Sequence, residues 1–229
     1  MNCEEIKMKE EKIFEEYKKA FPEQADHIVY DGLASVENYM QAPVKIVFLL
    51  KEVNDEGGGG WDLRDVMCEG ERTSTWNNVT QWTEGLFDLA KKEKEKNWEH
   101  YANITEDRRK DILKYIGAVN LKKIPGSYVA DGNAVFSESL KNKDFLLAQL
   151  DLYQPDILIC GGTFDNLYYH LLENKQPKIE TTTRGIQYCI DENNTIIIDY
   201  HHPAARAKAQ ILLYALLDAV AEIKNKHSI

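Results

Sequence analysis

The chain has 229 residues, 43% of them hydrophobic, and a formal net charge of −10; this fits one α/β domain over residues 1–229 that buries a sizeable core without staples. The charged start, Met1-Asn-Cys-Glu-Glu-Ile-Lys, argues against a secretory signal, no apolar run reaches the length of a membrane span, and a cytoplasmic protein is expected. The acidic balance weakens a nucleic-acid partner without excluding one, because non-specific phosphate binding draws on a basic face.

Residues 3–20 carry an apolar stripe at Ile6, Ile13, Phe14 and Tyr17 and read as a charged helix, the body of a helical N-terminal extension over 1–30. A short helix around Ser35 to Met40 precedes Val44-Lys-Ile-Val-Phe-Leu-Leu50, the first buried strand. Lys51-Glu52-Val53-Asn54-Asp55-Glu56 and four glycines, Gly57 to Gly60, follow it. The run lacks the Gly-Lys-Ser/Thr ending of a phosphate-binding loop and the long helix of a dinucleotide fingerprint. A mobile lid over a site is the expectation. Trp82 and Phe87 share a helical face and are expected in the core, whereas Trp61, beside loop sequence, is a candidate to stack on a planar ligand.

Thr105-Glu-Asp opens a helix that runs to about Tyr115, Gly117-Ala-Val-Asn-Leu121 reads as a second strand, and Phe136 to Leu152 as one helix. Asp156 to Cys160 is the third strand, and a helix over about 163–172 follows Gly161-Gly162. Ile186 to Ile190 is a short or edge strand. Three isoleucines, Ile196 to Ile198, mark a fourth strand buried on both faces, which runs into His201-His202-Pro203 and a helix from Ala204 to about Lys224. Strands alternating with helices imply a three-layer α/β/α sandwich around a central, mostly parallel four-stranded sheet. Open sheets of this kind bind ligands at the carboxyl ends of their strands. There the polar groups stand in order: Lys51-Glu52-Val53-Asn54, then Asn120, then His202-Pro203-Ala204-Ala205.

That order resembles the uracil-DNA glycosylase superfamily, and most closely its thermophile-type iron–sulfur branch. The similarity runs from about Ala118 to Arg206, including the helix Phe145-Leu-Leu-Ala-Gln149, and is weaker from Val44 to Trp98. The branch's cluster cysteines would fall near Ile124 and Asn142, its N-terminal cysteine pair has no counterpart, and the four cysteines here (Cys3, Cys68, Cys160, Cys189) form no C-x-x-C pair, so neither a cluster nor a metal is expected. Lys51 stands where the family has glycine. The resemblance implies hydrolysis of the N-glycosidic bond of uracil or another deaminated base in DNA, by a monomer with no cofactor.

Such a reaction leaves an oxocarbenium-like sugar and an anionic base. In the family's arrangement Glu52 holds the attacking water, or Asn54 does so in its place. His202, with His201 as the alternative, donates to the base where its charge develops. Asn120 reads the base edge, because an amide donates and accepts together. Lys122, Lys123, Arg206 (at the family's wedge position) and Lys208 are candidates to contact DNA. Asp199-x-His201-His202 resembles a metal set only superficially, since neighbouring strand residues point to opposite faces. A non-catalytic binding module and a hydrolase of free nucleosides or nucleotides remain the alternatives.

Overall fold

A computed structural model describes residues 1–71, 73–94 and 96–229, and for Asn174 the backbone only. Helix α1 (Cys3–Ala20) starts at a capping box, in which Asn2 accepts the Glu5 N–H and Glu5 accepts that of Asn2. Strand β1 (Gly32–Leu33), α2 (Val36–Gln41, capped by Ser35) and β2 (Ile46–Leu50) follow. Next come α3 (Leu63–Glu69), α4 (Ser74–Ala90), α5 (Trp98–Ala102), α6 (Glu106–Leu113) and β3 (Gly117–Asn120). The chain continues through α7 (Gly132–Lys141), α8 (Lys143–Tyr153), β4 (Ile157–Gly161) and a π-helical turn (Asn166–Leu171). Strands β5 (Glu180–Thr181), β6 (Gln187–Ile190) and β7 (Ile196–Tyr200) and helix α9 (Ala209–His227) complete it.

The α/β class expected from the sequence is observed, but among the described residues the sheet has seven strands rather than four, in the order β1-β3-β2-β4-β7-β6-β5. The four main strands read from the sequence are its parallel centre, and the short strand read over Ile186 to Ile190 is β6. Antiparallel β1 extends one margin, and β6 and β5 the other. The two-residue strands β1 and β5 are too short to carry an alternation, which is why the pattern did not reveal them.

Alternate residues of the central strands feed two cores. Ile46, Phe48, Leu50, Ile159, Ile198 and Tyr200 pack with Trp82 of α4 and with Leu213 and Leu216 of α9. Val47, Leu49, Val119, Leu158 and Ile197 pack with Ile6 of α1, Tyr39 of α2 and Leu146 of α8. Each such buried aliphatic side chain contributes about 1.5–3 kcal/mol. The N-terminal helix, expected as part of an extension, buries Ile6, Glu10, Phe14 and Tyr17 and lies against α8 and α2.

Two helical expectations are corrected. The helix expected over Phe136 to Leu152 is two, because Asn142 (φ −86°, ψ 0°) leaves the helical path and gives its Nδ2–H to Leu121 O at 3.2 Å. The last helix begins at Ala209, so residues 201–208 form a loop beyond β7.

Candidate active site at the carboxyl ends of the parallel strands

Strand register aligns the ends that matter. Asn120 pairs with Leu50, and Gly161 with Tyr200. Registered neighbours face the same side of a sheet, so Asn120 lies on the face of Leu50 and Tyr200 that α4 covers. β3 and β7 flank β2 and β4, with roughly 14 Å between their axes at the usual strand spacing. The His202 loop closes part of that span. A Cβ on Gly161 would lie 2.7 Å from Leu50 Cδ2 and 3.3 Å from Pro203 Cδ, so the absent side chain lets both crowd over the end of β4. From α4, Asn78 donates to Pro203 O at 2.6 Å and pins the turn from above.

His202 is half-buried, and its Nδ1 accepts the Ala204 N–H at 3.1 Å. A neutral ring with Nδ1 accepting carries its proton on Nε2, which is then a donor. Burial, and then the Lys51 ammonium, push the imidazole pKa below its ordinary 6.5, favouring that neutral form. Lys51 has no carboxylate partner among the described residues, and its Nζ would lie 3.9 Å from a Cβ at Gly162, the residue after β4. His201 is exposed, its ring edge-on to Tyr200.

Asn120 is 2% exposed, and its Nδ2 is one of five buried side-chain polar atoms with no hydrogen-bond partner among the described residues. Buried amides are nearly always satisfied. Its backbone N–H goes to Asp31 Oδ2 at 2.7 Å. Asp31 in turn accepts from Lys123 Nζ at 2.7 and 2.9 Å and from Gln149 Nε2 at 3.1 Å, while Lys123 also donates to Gln149 Oε1. Gln149 continues through Tyr153 to Glu10 and Arg64. Burial raises the Glu10 pKa, against the opposing pull of Arg64. Lys123 was expected to face DNA. Its side chain is 1% exposed, and it is the buried counterion that fixes the strand end carrying Asn120.

Lys122 is corrected in the same way. Its Nζ meets Glu52 Oε2 at 2.5 Å and Pro125 O at 3.0 Å, and its side chain is 11% exposed. Glu52, with its side chain 5% exposed, keeps Oε1 free of protein hydrogen bonds among the described residues. Gly126 presses on this carboxylate: a Cβ there would fall 2.1 Å from Glu52 Cδ. Asn54 is exposed and bridges Gly126 through its backbone.

The glycine run is held in place from within. Asp55 Oδ1 accepts the Gly57 N–H at 2.7 Å, and its Oδ2 accepts Gly59 N–H at 3.0 Å and Trp61 Nε1–H at 2.8 Å. Those bonds, that of Trp61 foremost, lower the Asp55 pKa. Gly59 adopts φ +83°, and a Cβ there would lie 2.1 Å from His27 O, so the position requires glycine. The Asp55 carboxylate thus takes the backbone donors that a phosphate would have used. Trp61, expected as a stacking platform, is committed to Asp55 and to the core beside α4.

Arg206 and Lys208 stand exposed on the loop after β7, with no carboxylate partner among the described residues. A cleft of about 390 Å³ adjoins Gly126, lined by Glu23, His27, Asp55 and Pro125 among others. A larger cleft of about 1190 Å³ opens at the opposite, amino ends of β4 and β7, between α8 and the π-helical turn, away from these groups. Among the described residues no group of three or more His, Cys, Asp or Glu could hold a metal ion, all four cysteines are free, and no helix is long and apolar enough to cross a membrane.

The sequence reading gives no role to Asp31, Lys51 or Asn78. Asp31 and Asn78 act through contacts 89 and 125 residues away in the chain, a separation that no local pattern records. Lys51 had a signal, the exchange of glycine for a cation. No protein-family model matches the chain, and no curated protein matches it.

Proposed function

We propose that the protein is a uracil-DNA glycosylase-like N-glycosyl hydrolase that removes uracil or another deaminated base from DNA, on a fold of that superfamily's type. The observation that carries this reading is Asn120: a buried amide with an unpartnered Nδ2 at a strand's carboxyl end is built to be completed by a ligand with a carbonyl acceptor. The tautomer of His202 supports it, because an Nε2–H donor suits a carbonyl oxygen that gains negative charge as the base departs. A neutral donor next to a fixed Lys51 charge stabilises that anion without giving up a proton. Glu52 Oε1 holds the water, and the carboxylate favours the cationic sugar. To reach Asn120 the base leaves the stack. Arg206, Lys208 and Lys51 supply local positive charge in a protein of net charge −10.

One observation favours a second reading. Lys122 neutralises Glu52 at 2.5 Å, which weakens its help to a sugar cation and suits a binding module that retains the pocket without hydrolysis. The test is base release from oligonucleotides holding one uracil or hypoxanthine, scored as abasic sites. Release is expected to fall about 10²–10³-fold in His202→Ala, the usual cost of one preorganised donor to a developing anion, and to fall in Glu52→Gln. Specific binding with no release from any substrate would select the module instead.

A further inference from the structure

The loop between β3 and α7 carries an exposed aromatic tip that the site described above does not use. Tyr128 is 76% and Val129 74% exposed, more than any other large hydrophobic side chain among the described residues. Isolated exposed apolar residues are ordinary, but here two stand side by side, immediately after Ser127, which lines the cleft at Gly126. The tip is presented from fixed points. Gly126 N–H bonds to Val53 O at 2.9 Å and Gly126 O accepts from Asp55 N–H at 3.2 Å. Ser127 Oγ–H closes the turn on Val129 O at 3.0 Å, and Asp131 caps α7 beyond it.

Gly126 is the residue pressed against the Glu52 carboxylate. Two residues span at most about 7 Å, so the Tyr128 backbone stands within that distance of Gly126. We infer that Tyr128, flanked by Val129, is a stacking surface for a second nucleobase of the strand whose displaced base is held at Asn120. A phenol ring stacks on any base face, which gives affinity without sequence preference. This inference rests on the glycosylase reading for the identity of the ligand at Asn120.

The experiment measures affinity for a short single-stranded oligonucleotide with one uracil, and for deoxyuridine, in the wild type, Tyr128→Ala and Tyr128→Phe. The exposure of Tyr128 makes an unchanged melting temperature the expected control. Tyr128→Ala is expected to bind the oligonucleotide about 5- to 150-fold more weakly, the worth of one base stacked on an aromatic ring. Deoxyuridine affinity stays unchanged, and Tyr128→Phe restores oligonucleotide binding. Equal oligonucleotide affinity in Tyr128→Ala and wild type, an equal loss for deoxyuridine, or a dimer that Tyr128→Ala dissociates would overturn the inference. Binding is read without turnover, so a Tyr128-dependent affinity in a protein that releases no base would sink the hydrolytic reading and leave the stacking surface standing.

Discussion

The strand ends on either side of the site treat positive charge in opposite ways. After β3, Lys122 and Lys123 turn inward, one to Glu52 and the other to Asp31, and neither offers charge to solvent. After β7, Arg206 and Lys208 stand in water, and the sequence from His201 to Leu217 contains no acidic residue. The first pair organises the site from beneath; the second faces whatever approaches it. A net charge of −10 therefore describes the average surface and not this loop.

The sharpest way to break that contrast is through stability. Lys123→Met leaves the Asp31 carboxylate buried without its cation and is expected to cost about 3–5 kcal/mol in denaturant unfolding. Arg206→Ser and Lys208→Ser are expected within about 0.5 kcal/mol of wild type. A stable Lys123→Met protein would mean that Asp31 is satisfied without the lysine. Binding sharpens the contrast from the other side. Replacing Arg206 and Lys208 together should lower the slope of log affinity for single-stranded DNA against log salt by roughly 1.4, at about 0.7 for each phosphate no longer neutralised. An unchanged slope would place both outside the interface.

The smallest effect concerns proton affinity. Burial and Lys51 depress the pKa of His202, so the neutral ring persists as pH falls below 6.5, and the acid limb of base release is expected below that value. Lys51→Met removes the lesser cause and should move the limb upward toward 6.5 but not beyond, because burial still acts. A limb that did not move would detach Lys51 from His202.

Much of the framework was legible because it is local. The isoleucines of β7, the apolar run of β2 and the polar groups that end the central strands declare themselves within a few residues. The margins β1 and β5 were too short to read, and the break at Asn142 depends on Leu121 O, which is distant in sequence. At the site, the positions of Asn120 at the end of a parallel strand and of Glu52 and His202 just beyond two others were readable, but the partners of the lysines were not. Lys122 and Lys123 look alike in a sequence, and only the fold reveals that each meets a carboxylate contributed from another part of the chain. The glycine run misled for a related reason: it reads as freedom, yet Asp55 supplies the bonds that order it.

The most direct measurement is the ring-nitrogen NMR spectrum of ¹⁵N-histidine-labelled protein at neutral pH, with and without added uracil, in the wild type and in Asn120→Ala. The expected result is a neutral His202 protonated on Nε2, whose Nε2 signal shifts on adding uracil in the wild type and does not in Asn120→Ala. A charged ring, a proton on Nδ1, or a signal indifferent to uracil would contradict the proposal that Asn120 and His202 bind the base.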